Sequence, residues 1–260
     1  MGVSPFAYAP NGVAALVGWG TCSLLAGWAP ARSAAVRLGP WIALAAIAAT
    51  FLGPGLEGVH RWLPIGPLRL DASAALAPWL LLGLASGDRG VRERSTIAVL
   101  AAQFLHVIQP DAAQATALAL GAMPILASRQ IIRPAVGLPV LLALVGAAVV
   151  AWFRIDPLAP VRHVEGVLAF ARDQGVVTSL GALLALLLAL VPLAWPLRSI
   201  DPTARAFGAG AVLYLCGAIA ATVSGRFPVP LLGAGAAPVL GWYGLALVVR
   251  IGAGSSREGT

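Results

Sequence analysis

Runs of mostly apolar residues recur from one end of this chain to the other, each close to the roughly 20 residues a helix needs to cross a hydrocarbon core about 30 Å thick. Nine such runs are delimited by polar residues, glycines or prolines, at 12–30, 38–54, 72–86, 95–109, 112–128, 136–153, 177–197, 207–224 and 234–251. Runs of that length with few charges predict transmembrane helices. The runs 95–109 and 112–128 are short and separated only by Pro110 and Asp111, which fits either a tight hairpin or a partly re-entrant pair. A briefer apolar stretch, Val164 to Ala171, predicts a helix lying in the interface or dipping into the bundle. The expected fold class is an all-α polytopic membrane protein with about nine transmembrane helices. Residues 1–260 form a single transmembrane unit without an extramembrane domain, low-complexity tract or short fixed-period repeat.

Composition agrees with the pattern: 59% of the 260 residues are hydrophobic and 10% charged, with a mean hydropathy of +0.88. The net charge of +7 comes from seventeen arginines and ten acids. Because these arginines are scattered singly between apolar runs, no basic stripe follows a phosphate backbone, and nucleic acid is not expected as a partner. Cys22 and Cys216 both fall inside apolar runs, which excludes a disulfide framework and a CxxC metal pattern. The three histidines are well separated and argue for no transition-metal site. Neither a nucleotide-binding glycine motif nor a serine-nucleophile motif is present.

Loops that stay in the cytoplasm retain an excess of positive charge, so the arginines orient the chain. One set of alternating loops carries eleven of them (Arg32, Arg37, Arg89, Arg92, Arg94, Arg129, Arg133, Arg198, Arg205, Arg250, Arg257) against four acids, Asp88, Glu93, Asp201 and Glu258. The other carries six (Arg61, Arg69, Arg154, Arg162, Arg172, Arg226) against six acids. The first set is assigned to the cytoplasm, placing the N-terminus outside and the C-terminus inside. Residues 1–11 lack the positive region of a cleavable signal, so the first run is expected to be retained as a helix.

Polar residues that a pure scaffold would avoid carry the functional information. They gather in four outward-facing segments. In the first, Gly58 to Arg69, Trp62 suits an aromatic belt or a ligand contact, and Pro64 and Pro67 break the backbone. Arg61 and Arg69 suit lipid headgroups as well as an anionic substrate. In the second, Gln109-Pro110-Asp111, the aspartate is placed to cap the following helix. In the third, Arg162, His163 and Glu165 gather at a helix start, where a carboxylate near arginine stays ionised as a base or cation ligand, or simply caps the helix. The fourth, Gly225 to Gly235 with Arg226, is a proline- and glycine-rich turn, either a cavity wall or an ordinary connection. The lack of a chain of ionisable residues in mid-span argues against an ion-coupled transporter.

In order, these segments resemble the SEDS (shape, elongation, division and sporulation) family, the RodA/FtsW-type membrane polymerases that build peptidoglycan from lipid II. His60-Arg61-Trp62 followed by Gly66 and Arg69 resembles the family's R-W-x-x-x-G loop, with Leu70-Asp71-Ala72-Ser73 standing where Q-P-S-E is usual. Gln109-Pro110-Asp111 matches Q-P-D, with Ala113 and Gln114 replacing a Gly and a Thr. Arg162-His163-Val164-Glu165, then Ala169 and Gly175, is similar to the H-T-D segment, and Glu165 takes the place of its aspartate. Phe227 to Ala236 resembles the P-x-x-S-Y-G-G-S turn without its Ser and Tyr. The likeness spans about residues 38 to 251. Relative to the family the chain lacks the first helix, and the large outer loop before H-T-D is reduced to the residues between Asp156 and Arg162.

The resemblance implies a bacterial inner-membrane protein of peptidoglycan synthesis, cell shape or division, acting on a lipid-linked sugar precursor, with a periplasmic transpeptidase-like partner. It implies Glu165 as catalytic carboxylate, deprotonating the acceptor sugar hydroxyl. Arg61, Arg69, Arg162, His163 and Arg226 are the implied substrate contacts, the arginines balancing pyrophosphate charge, and Gln109 and Asp111 the structural polar residues. No cofactor is evident, and the carboxylates leave room for a divalent cation. The competing expectation is a non-catalytic SEDS-like subunit that binds a lipid-linked precursor or scaffolds a membrane complex.

Overall fold

The computed structural model describes residues 5–66 and 68–254, so that Pro67, Arg257 and Glu258 lie outside the described residues. The chain is built almost wholly of helices. Helix α1 (Ala9–Gly27) and helix α2 (Ala29–Ala49) meet at Trp28, whose extended backbone ends one and begins the other. The stretch 30–38 is therefore helix where a loop was expected, and Arg32 and Arg37 project from α2. Pro30 sits in the first turn, where its missing amide costs nothing and its fixed φ suits the helix. Arginine stems can lie along a helix while the guanidinium reaches the interface, so charge did not mark an end.

Capping extends two further helices beyond their apolar runs. The Asp88 carboxylate accepts the Val91 amide at 3.1 Å, starting helix α4 (Arg89–Ile108) and bringing Arg89, Arg92 and Arg94 into helix. The Asp201 carboxylate does the same for helix α9 (Pro202–Ala221), accepting from Thr203 at 3.0 Å and Ala204 at 2.9 Å. A carboxylate there fills orphan donors and faces the positive helix end.

The run 72–86 departs furthest from expectation. It forms one short helix, α3 (Ala72–Leu76), and then 3₁₀ turns over Ala77–Ala85 that begin beside Pro78. With a rise near 2.0 Å per residue against 1.5 Å in an α-helix, the tighter turns carry the segment over about 25 Å. The loop before it holds an antiparallel hairpin, β1 (Trp62–Ile65) with β2 (Leu68–Asp71), pairing Trp62 with Asp71 and Pro64 with Arg69. Helices α5 (Ala112–Ala127) and α6 (Pro134–Trp152) follow α4. The short helix expected at 164–171 is α7 (Val167–Asp173). It starts later because the amides of Val164, Glu165 and Gly166 all turn back onto the Val161 carbonyl, at 3.0, 3.0 and 3.1 Å. Helices α8 (Val176–Ala194) and α10 (Ala236–Gly254) complete the bundle.

Among the described residues five helical stretches are long and apolar enough to cross a membrane: Ala29–Leu52, Pro134–Trp152, Val176–Arg198, Pro202–Ser224 and Ala236–Gly254. The protein is a multi-pass membrane protein. On α8 most leucines point outward, Leu180, Leu183, Leu184, Leu187 and Leu188 among them, a face suited only to lipid. Inside, small residues let backbones approach: a Cβ on Gly210 of α9 would lie 2.5 Å from the Gly121 carbonyl oxygen of α5. On α10, a Cβ at Gly244 would stand 3.0 Å from the Trp79 ring and 3.2 Å from Pro78. Gly244→Ala is expected to cost about 1–2 kcal/mol, because two stiff neighbours must move to admit it. Unfolding of the variant beside wild type in the same micelle measures this.

Chain direction fixes which loops share an end. Thr50, beyond the last turn of α2, bonds the Gln109 side chain at the end of α4, so the starts of both helices lie at the opposite end.

Candidate functional site at the loop-rich end

Gln109 and Asp111 organise this end. The Gln109 amide donates to the His60 carbonyl at 2.6 Å and to Thr50 Oγ1 at 2.8 Å, and its oxygen faces Ser73 Oγ at 3.4 Å. One buried side chain thus ties together the ends of α2 and α4, the start of the hairpin and α3. Asp111 caps α5, accepting the Gln114 amide at 3.1 Å. Gln114 in turn accepts the Tyr214 hydroxyl of α9 at 2.7 Å.

Arg61 lies buried at the centre. It donates through Nη2 to the Pro110 carbonyl at 2.5 Å and to Asp156 Oδ2 at 2.8 Å. Its Nε sits 3.9 Å from Asp111 Oδ2, and the guanidinium lies 5.5 Å from the centre of the Phe227 ring. Burial works against the charge, but Asp111 and Asp156 outweigh it and raise the arginine pKa above its usual value. Asp156 is held in turn by the Leu158 amide at 3.1 Å. The short segment that begins at Asp156 is thereby tied to Arg61.

Arg61, Asp71, Asp111, Gln114 and Tyr214 line a cavity of about 40 Å³ walled by Phe227, Pro228, Pro230 and Trp242. That is room for one or two waters. Asp71 caps α3 by accepting the Ala74 amide at 2.8 Å. Burial, and after it the Asp111 carboxylate, push its pKa from 3.8 up to about 7. A carboxyl that holds its proton more tightly when folded weakens the fold as pH rises from the unfolded value toward the folded one. Asp71→Asn keeps an acceptor for Ala74, so its unfolding midpoint is expected to fall less than that of wild type between about pH 4 and pH 7.

Glu165 stands beside this cluster without lining the cavity. Its Oε2 accepts the Val161 amide at 2.7 Å. The carboxylate is half-buried, and burial raises its pKa above the ordinary glutamate value. Its turn is docked on the fourth segment by backbone bonds: Ala234 N–H to the His163 carbonyl at 2.8 Å and Val229 N–H to the Val164 carbonyl at 3.2 Å. A Cβ on Gly233 would come within 2.8 Å of the Val164 oxygen, so only glycine permits the docking.

The remaining sequence-based candidates diverge. Arg162 turns to Asp173 at 4.0 Å and over the Phe170 ring at 4.8 Å. Arg69, at the hairpin edge, and Arg226 are exposed. His163 joins through its backbone carbonyl. Among the described residues no group of three or more His, Cys, Asp or Glu side chains is placed to hold a metal ion. The Arg61 guanidinium lies between Asp111 and Asp156.

Sequence reasoning passed over Asp71, Gln114 and Tyr214 as site residues, and Asn11 altogether. Asn11 Nδ2 donates to the Gly233 carbonyl at 3.0 Å and its Oδ1 accepts the Gly235 amide at 2.8 Å, fastening α1 to the fourth segment. It is the chain's sole asparagine, standing immediately before the first apolar run, and that isolation was the signal available.

No family model and no curated protein matches the sequence. Solved structures do. The rod shape determining protein RodA of Thermus thermophilus superposes with a TM-score of 0.69 at 22% identity, covering 96% of this chain and 89% of that one. This chain has the RodA fold. An aspartate-to-alanine variant of the same RodA gives 0.68 with the same identity and coverage. A chain from a peptidoglycan synthase complex, described as coordinating polymerization and crosslinking, gives 0.65 at 21% identity over 97% of this chain and 91% of that one.

Proposed function

We propose that the protein is a diverged SEDS-type component of peptidoglycan synthesis in the bacterial inner membrane. In this reading nine helices cross the bilayer, the N-terminus lies outside, the C-terminus is cytoplasmic, and the loop-rich end faces the periplasm. Its substrate is a polyprenyl-pyrophosphate-linked sugar, and its reaction is glycosyl transfer with Glu165 as general base. A raised glutamate pKa suits that role, because a base works best with a pKa near the operating pH. The observation that carries the reading is the docking of the Glu165 turn on the Val229–Ala234 segment, next to the Arg61 cluster, within a RodA fold.

In the reaction, Glu165 takes the proton of the acceptor hydroxyl as that oxygen attacks the anomeric carbon. The bond to the pyrophosphate breaks, and the lipid pyrophosphate leaves with its electron pair. Arg61 is occupied by Asp156 and Asp111, so its role is to hold the cluster together. Arg226 and Arg69, being exposed, are the arginines free to meet the leaving group.

A second reading has its own support: the cavity of about 40 Å³ is too small for a sugar, and Arg162 turns away to Asp173. A non-catalytic subunit that binds a lipid-linked precursor or scaffolds a transpeptidase-like partner needs no open cavity. Lipid II polymerisation by the purified protein, with Glu165→Gln as control and with and without a co-purified periplasmic partner, separates the two.

A further inference from the structure

At the end opposite this site, a groove of about 610 Å³ opens between the start of α2, the 85–88 turn and the end of α10. That volume lies within the roughly 300–1,000 Å³ of small-molecule sites. Arg32, Ser33 and Arg37 line one wall, and Ile251 and Gly254 stand opposite. Arg37 is exposed and has no carboxylate partner among the described residues. Among the described residues that line the groove, the one acid is Asp88, which is engaged in capping α4 through the Val91 amide. Arg92 donates to the Ser86 carbonyl at 2.7 Å and pins the facing turn, so the rim is held independently of any ligand. The first turn of α2 has no side-chain cap, which leaves amides directed toward this end. Trp28, 58% exposed at the junction of α1 and α2, stands at the same end as Arg32, as an interfacial tryptophan would.

We propose that this groove binds the phosphodiester headgroup of an anionic phospholipid, with Arg32 and Arg37 on the phosphate and the apolar wall at Val36 and Ile251 receiving the first carbons of the acyl chains. Charge selects the occupant: Arg32 and Arg37 line the groove, and a zwitterionic headgroup would bring a quaternary ammonium against them. The site is independent of the chemistry proposed for Glu165.

The test titrates detergent-solubilised protein with phosphatidylglycerol and with phosphatidylcholine and counts bound lipid by native mass spectrometry. Wild type should prefer phosphatidylglycerol. Arg37→Gln should weaken that binding about fivefold and Arg32→Gln with Arg37→Gln about thirtyfold, leaving phosphatidylcholine unchanged. Arg37→Lys should retain most of the preference, and Arg129→Gln, at the same end but outside the groove, all of it. Comparing the two lipids on one sample separates loss of the site from loss of the fold, which would depress both. Equal weakening by Arg129→Gln would mean diffuse charge attraction and overturn the site. Displacement of the lipid by inorganic phosphate at similar concentration would overturn the phospholipid as its ligand.

Discussion

Arg61→Ala is expected to destabilise the protein by about 3–5 kcal/mol, the range found when one member of a buried ion pair is removed and its partner left behind. The Arg61 and Asp156 side chains are 5% and 6% exposed, and that of Asp111 is 3% exposed. Removing the guanidinium strands both carboxylates, and it frees the Pro110 carbonyl from its donor. Arg61→Lys should recover only part of the loss, since one ammonium cannot span partners that the planar guanidinium reaches together. Neutralising Asp156 in the Arg61→Ala background should restore stability, giving a favourable coupling in a double-mutant cycle. Denaturant unfolding in a fixed micelle measures all four proteins. A cost for Arg61→Ala within the scatter of ordinary surface substitutions would mean that the cluster does not hold this end together.

Glu165→Gln is expected to reduce lipid II polymerisation by about 10²–10⁴-fold, the usual contribution of a general base. The amide oxygen of glutamine can still accept the Val161 N–H, so the turn survives and the loss lies in chemistry. Glu165→Asp, which shortens the side chain by one methylene, should retain activity, because it keeps the basic group. Burial raises the Glu165 pKa, so wild-type activity should fall on acidification at a pH above the ordinary glutamate range, as the base takes up its proton.

The sequence made the helical membrane character and the four polar segments legible, because apolar run length and intramembrane polarity are both written locally. Spacing marked Gln109 and Asp111 as polar residues between two helices and put Glu165 with Arg162 and His163 at a helix start. The arginine that joins the cluster, however, is Arg61 rather than Arg162. The pairing of Arg61 with Asp156 spans 95 residues of sequence, and no periodicity encodes a contact of that separation. The start of α2 was hidden for a different reason. Hydropathy reads where a helix leaves the apolar core, whereas Pro30 and the aspartate caps at 88 and 201 decide where helices begin. The 3₁₀ stretch at Ala77–Ala85, buried on most sides, has the composition of an ordinary membrane helix, so hydropathy does not tell the two apart.

The most direct test of the central claim is glycan formation from lipid II by wild type and Glu165→Gln, each shown to be folded and each assayed alone and with its co-purified partner. Glycan from wild type and its loss in Glu165→Gln is the predicted result. Equal product from both would contradict Glu165 as the base, and no product from wild type under either condition would contradict polymerisation and leave precursor binding or scaffolding as the function.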